Sequence, residues 1–165
     1  MLIDAKQLFS DAQAVTADAI STNVIDLLPT GGAINGGATG GPTDNTVVNI
    51  AAGKPLYLYV LVTTTMAATG GAAELTTSLE SDSATGLDSS ATVHYTTAAI
   101  AKASLVAGYW ICKGVAIPSG SYERYLGLRY NATTNDFTSG AITAWLSDTP
   151  YSDEQYRSGS LTGVN

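Results

Sequence analysis

From Leu56 to Thr65 the chain reads Leu-Tyr-Leu-Tyr-Val-Leu-Val-Thr-Thr-Thr, an unbroken run of aliphatic, aromatic and β-branched side chains. It is too short to cross a membrane as a helix, which takes roughly 20 apolar residues, and its residue types favour pleated backbone. Bounded by the turn residues Gly53-Lys54-Pro55, it specifies a buried strand.

The rest of the chain is written in the same style. Runs at Ser21 to Leu27, Val47 to Ala51, Thr92 to Ile100, Tyr109 to Ile117, Tyr122 to Ala132 and Ala141 to Ser147 are strand-like, with breaks at Pro29, Gly86, Gly108, Pro118-Ser119-Gly120 and Asn131 to Gly140. Glu74 to Ser81 sets Leu75, Thr77 and Leu79 against Glu74, Thr76, Ser78 and Glu80, predicting a strand with one wet face. No segment has a convincing amphipathic helical period. The expected fold is all-β: a jelly-roll-like antiparallel β-sandwich in a single domain over residues 1–165, rather than alternating β and α units.

Three segments fall outside this pattern. Residues 1–19 mix Leu2, Ile3, Leu8 and Phe9 with polar positions and read as an N-terminal arm leading into a first strand at Ser21. Residues 30–45 are so rich in glycine that ordering them as a regular element is entropically costly. That long loop is either a contact loop ordered against a partner or a surface excursion. Residues 151–165 form a polar tail carrying Tyr151, Tyr156 and Leu161, either a terminal extension or a partner-binding arm.

The formal net charge of -7, from 14 acids against 7 bases, repels phosphate backbones and anionic lipid. Nucleic acid and membrane are therefore not expected partners. Met1-Leu2-Ile3 is followed at once by Asp4, unlike the start of a secretory signal. Cys112 is the only cysteine, which leaves no intrachain disulfide and is best read as a small buried hydrophobe.

The search for chemistry returns little. Gly53-Lys54 is followed by Pro55 where a phosphate loop needs Ser or Thr, and the glycines at 31–41 open no helix. His94 is the sole imidazole and has no nucleophile motif around it, so a structural or exposed role is expected. Glu74 and Glu80 lie roughly 20 Å apart along an extended strand, too far for a carboxylate pair. Glu123-Arg124 reads as surface charge, and Asp82, Asp88 and Asp136 lack the spacing of a calcium loop. No cofactor and no metal are expected. The nine tyrosines and two tryptophans are the remaining lead, as core packing, a protein interface or a sugar-stacking platform.

The opening Leu2-Ile3-Asp4-Ala5-Lys6-Gln7-Leu8-Phe9-Ser10-Asp11-Ala12-Gln13-Ala14-Val15-Thr16, followed by Ala19-Ile20-Ser21-Thr22-Asn23-Val24-Ile25-Asp26-Leu27, resembles a family of capsid cement proteins of tailed bacteriophages, first known in a short-tailed Bordetella phage. Farther on the resemblance rests on overall length, the Gly-rich loop and late strands such as Tyr125-Leu126-Gly127-Leu128-Arg129-Tyr130 followed by Ala141 to Leu146. It implies a jelly roll made in the host cytoplasm that sits on the outer surface of the virion capsid. There it would bind the major capsid protein of an HK97-type shell, associate with itself and bridge neighbouring subunits. The resemblance carries no catalytic or cofactor residue.

The expected contacts to capsid or sister subunits are Leu2, Ile3, Leu8 and Phe9 in the arm, Ile34 and Asn35 in the loop, and Tyr151, Tyr156 and Leu161 in the tail. A homo-dimer is expected ahead of a trimer, two-fold symmetry being the commonest closed arrangement. The competing class is a carbohydrate- or receptor-binding β-module on a phage tail or head fibre, which needs two or three solvent-facing aromatic rings in a plane. A small hydrolase built on Glu74, Glu80 or Glu123 trails behind both.

Overall fold

The computed structural model describes residues 5–27, 48–51, 53–88 and 90–148. Along the chain these form β1 (Leu8–Ala14), β2 (Ala19–Ile20), β3 (Ile25–Asp26), β4 (Val48–Ile50), β5 (Tyr57–Ala67) and β6 (Glu74–Asp82). There follow β7 (Thr92–Thr96), β8 (Ile100–Ala101), β9 (Trp110–Ala116), β10 (Gly120–Tyr122), β11 (Tyr125–Thr133) and β12 (Ser139–Ser147). Short 3-10 turns at Ala5–Gln7 and Lys102–Ser104 are the only helical turns among the described residues.

The strands pair antiparallel in two sheets packed as a sandwich. One has the order β1-β12-β5-β9. In the other, β2 and β3 share one edge of β11, β11 pairs with β6, and β7 and β8 share the far edge of β6. Pairing is nested along the chain: β1 with β12, β2 and β3 with β11, β5 with β9, and β6 with β7 and β8. A long hairpin wound on itself gives that nesting, and it is the jelly-roll topology. β4 and β10 add a separate two-stranded ribbon.

The strong run of the sequence is β5, at the centre of its sheet. Its inward set Leu58, Val60, Val62 and Met66 is buried beside Ile142, Ala144 and Leu146 of β12. Leu75 and Leu79 of β6 and Leu126, Leu128 and Tyr130 of β11 belong to the same core. Each fully buried Leu or Val contributes roughly 1.5–3 kcal/mol relative to exposure, so the period-two pattern of these four strands dominates the fold.

Two sequence expectations are corrected. The arm at 1–19 is not an arm beyond residue 7: Leu8–Ala14 is an edge strand paired to β12, with Phe9 completely buried in the core. Phe9 is apolar and lies on the inward phase of β1, so its burial outweighs any use as an external contact. The expected wet face of β6 is also covered over its later part: Glu74 and Thr76 are half-buried, but Ser78, Glu80 and Asp82 are buried, because the 83–88 segment brings Leu87 over that side. The predicted strand at Ser21 to Leu27 is reduced to β3, with β2 lying just before it, and Tyr122 to Ala132 is divided between β10 and β11. The Gly-rich loop at 30–45 and the tail at 151–165 lie outside the described residues.

Candidate interaction end

The nesting sorts the connections between two ends of the sandwich. At one end lie four short links: 15–18, 68–73, 102–109 and 134–138. Val15, Ala73, Leu105 and Phe137 plug that end from inside. Lys102 Nζ donates to the carbonyls of Ala68 and Gly70 at 3.1 and 3.0 Å, and Thr138 N donates to Ala67 O at 2.6 Å. That end is sealed.

At the opposite end lie the start of β1, the end of β3, the start of β5 and the end of β12, with the 83–88 segment and the corner at 117–124. Leu8 stands at this end, opposite Trp145 in register. Of the nine expected contacts, Leu8 and Phe9 lie within the described residues, and only Leu8 is not fully buried. Leu2, Ile3, Ile34, Asn35, Tyr151, Tyr156 and Leu161 lie outside them. The elements that lead to those positions, β1, β3, β4 and β12, all open on the same end.

Two ion pairs brace this end. Arg124 grips Asp26 through Nε to Oδ1 at 3.0 Å and a second guanidinium nitrogen to Oδ2 at 2.9 Å, and its guanidinium lies over the Tyr125 ring. The fork joins β3 to the start of β11. Lys54 meets Asp148 at 2.6 Å, an exposed pair that holds the approach to β5 against the exit of β12.

Around Glu80 the outer side of the six-stranded sheet is covered. Glu80 Oε2 accepts from Arg129 Nε at 2.8 Å and its Oε1 from Ser78 Oγ at 2.6 Å, while Arg129 also donates to the carbonyl of Leu87. Gly127, opposite Glu80, makes this possible: a Cβ there would sit 2.6 Å from Leu87 Cδ1 and 3.2 Å from Ser21 Oγ. Asp82 is likewise engaged. Burial pushes its carboxyl up, but hydrogen bonds from Ala84, Ser83 and Ser90 outweigh that and hold it below the ordinary carboxylate value.

Ser81 and His94 come within 2.7 Å, Oγ to Nε2, a contact that superficially matches a nucleophile and its base. The surroundings assign it otherwise. Ser81 has no exposed surface, its Oγ also accepts the Glu123 N–H at 3.0 Å, and the imidazole stacks on Tyr122 with centroids 3.8 Å apart. A substrate has no line to the hydroxyl. Glu80 is committed to Arg129, and Glu123 Oε1 accepts from Thr92 Oγ1 at 2.9 Å. Among the described residues no three His, Cys, Asp or Glu side chains are placed to hold a metal ion.

The aromatic lead resolves into a row on the outer face of the four-stranded sheet. Register aligns Leu8, Trp145, Tyr59 and Lys113 across its four strands. Tyr59 stacks on Trp145 at 5.3 Å, and Trp110 meets both edge-on at 6.1 and 5.9 Å. A bulge at Gly114 (φ +66°) admits the Tyr59 phenol, since a Cβ there would lie 2.9 Å from Tyr59 Oη. Tyr59 and Trp145 are 1% and 4% exposed, and Trp110 is tilted about 70° from both by 73° and 68° contacts. These rings make a packed cluster, not an open planar platform for sugars. Sequence reading noted the aromatics but not this trio, whose meeting depends on register.

The lateral edges are all interrupted. β1 shifts register twice against β12, with Ala12 at φ +45°; β9 shifts twice against β5; β7 shifts once against β6; and β2 and β3 are two-residue pieces. Bulges and short edges discourage strand-to-strand association.

The described residues form a doubly sheeted jelly roll with one sealed end, an all-β scaffold. The family model of Bbp16, Bordetella phage protein 16, matches residues 9–146, and the chain belongs to that bacteriophage protein family. No curated protein matches the chain.

Proposed function

We propose that this chain is a capsid cement, or decoration, protein that sits on the outside of a phage head and bridges neighbouring subunits of the shell. The observation that supports this most is the convergence of its connections. β1 begins, and β3 and β12 end, on one end of a braced sandwich, so the seven expected contacts outside the described residues join the body there. A body sealed at the far end and interrupted along its edges directs binding through that end.

The mechanism is mechanical. A shell under pressure from packaged DNA fails at seams between subunits, and a cement that contacts two of them adds buried interface across the seam. If the protein also pairs with itself, the second contact becomes intramolecular and avidity rises roughly 10²–10⁴-fold without new residues. The acidic balance of the chain suits an outer surface that does not compete for the genome.

Quantitative mass spectrometry of purified phage particles tests the reading by counting copies of this chain against the major capsid protein. Hundreds of copies in a fixed ratio are expected. A dozen copies or fewer would move the protein to a tail or fibre and overturn the proposal.

A further inference from the structure

The extra residue of the β7 bulge is His94: Leu79 pairs with Tyr95 and Glu80 with Val93, leaving His94 between them. Its ring is turned onto Tyr122 of β10 and its Nε2 onto Ser81 of β6. Tyr122 in turn donates its hydroxyl to the Pro118 carbonyl at 2.6 Å, closing the 117–124 corner, and β10 carries β4 by backbone pairing. One side chain thus ties three elements together at the open end. We propose that His94 is an acid-sensitive latch that holds this corner and the β4–β10 ribbon against the six-stranded sheet, and that the corner loosens when the imidazole takes up a proton.

The argument is hydrogen-bond accounting. In the Nδ1–H tautomer of the neutral imidazole, Ser81 donates its hydroxyl hydrogen to Nε2 while its oxygen accepts the Glu123 N–H, so the buried hydroxyl is satisfied as both donor and acceptor. A protonated imidazole has only donors. Ser81 Oγ then accepts twice, and its own hydrogen is left without an acceptor in a position with no solvent exposure.

The groups around the ring do not supply a compensating charge pair. From the corner, Glu123 is the carboxylate acting on the imidazole, and it is held by Thr92 Oγ1. On β6, Glu80 and Asp82 occupy the phase opposite to Ser81 and are engaged by Arg129 and Ser78, and by Ser83, Ala84 and Ser90. Arg124 is directed to Asp26. On β7, Tyr95 turns to Cys112. Burial lowers the His94 value from 6.5 by more than Glu123 raises it. The unfolded chain therefore binds more protons than the folded one below about pH 6.5, and stability present above that value is lost as pH falls through the lowered folded value.

His94 is the only histidine, so its ring C–H resonances report the latch directly in the isolated protein. The expected midpoint lies below 6.5. Amide exchange at Tyr122, Glu123 and Ile50, corrected for intrinsic pH dependence, should rise with that same midpoint, reaching about tenfold for every unit the midpoint lies below 6.5. Amides of β5 and β12 should not follow. His94→Phe keeps the stack without the proton and should abolish the response, with His94→Gln as the alternative if that variant does not fold. A midpoint at or above 6.5, or a corner whose exchange rises equally in wild type and variant, would overturn the latch. Its bearing on shell binding rests on the cement reading, but these measurements do not, so failure of one is distinguishable from failure of the other.

Discussion

Ser10 Oγ and Tyr130 Oη lie 2.8 Å apart in the buried interior, joining β1 of one sheet to β11 of the other. Ser10 passes its own hydrogen to Gln13 Oε1 at 2.7 Å, and Gln13 Nε2 reaches the Ile20 carbonyl at 2.8 Å. The network locks the first strand across the sandwich and fixes where β2 begins. Burial drives the Tyr130 phenol well above its ordinary value, so it stays a neutral partner, although Ser10 pulls it partly back. Tyr130→Phe and Ser10→Ala should each cost about 1–2 kcal/mol of stability, measured by urea denaturation. A double variant costing the sum of both would show that the two hydroxyls are not coupled.

The end of the N-terminal arm follows from the same network. Removing residues 2–7 should leave the fold intact, because β1 starts at Leu8. Removing residues 2–11 deletes Phe9 and Ser10 and should unfold or severely destabilise the chain. Phe9→Ala alone should cost roughly 3–5 kcal/mol. Thermal melting of the three variants checks this ordering, and an unchanged melt for the longer deletion would contradict β1 as a structural strand.

Glu80 is nearly inaccessible while its partner Arg129 is about a quarter exposed, so the two ends of the pair respond differently to truncation. Arg129→Ala strands a buried carboxylate and should cost roughly 3–5 kcal/mol. The double change Glu80→Gln with Arg129→Met should recover much of that loss, since no charge then needs a partner. Denaturation midpoints of the two variants decide it; equal losses would mean that Arg129 acts only by packing.

Cys112 of β9 is buried in the core between the two sheets, and burial pushes its thiol up to about 11 despite a hydrogen bond from Tyr95. A thiol raised in the fold stays protonated longer than in the unfolded chain, so this contribution to stability is complete below about pH 9 and is lost as pH rises toward 11. At pH 8 Ellman's reagent should leave the folded protein unmodified and label it at once in denaturant. Rapid labelling of native protein would show that the site opens.

Much of the fold is legible in local chemistry. The alternation of Leu58, Val60 and Val62, the aliphatic phase of Leu126 and Leu128, and the Gly, Pro and Asn breaks all act within a few residues, and they determine an all-β chain and the position of its main strands. The single histidine and single cysteine are equally legible there, and they bound the side-chain chemistry the chain can offer.

Tertiary structure decided what depends on distant partners. Leu8–Ala14 becomes a strand because β12 offers an edge and the core has room for Phe9, and neither fact is written near residue 9. The outer phase of β6 looks wet in sequence, yet Leu87 covers part of it and Arg129 pairs with Glu80 from a distant strand, where Gly127 leaves the room. Register alone brings Tyr59, Trp110 and Trp145 into one cluster, and the nesting of strand pairs alone gathers the long connections on one end. Local pattern sets which residues pair and pack; the winding of the hairpin sets which of them meet.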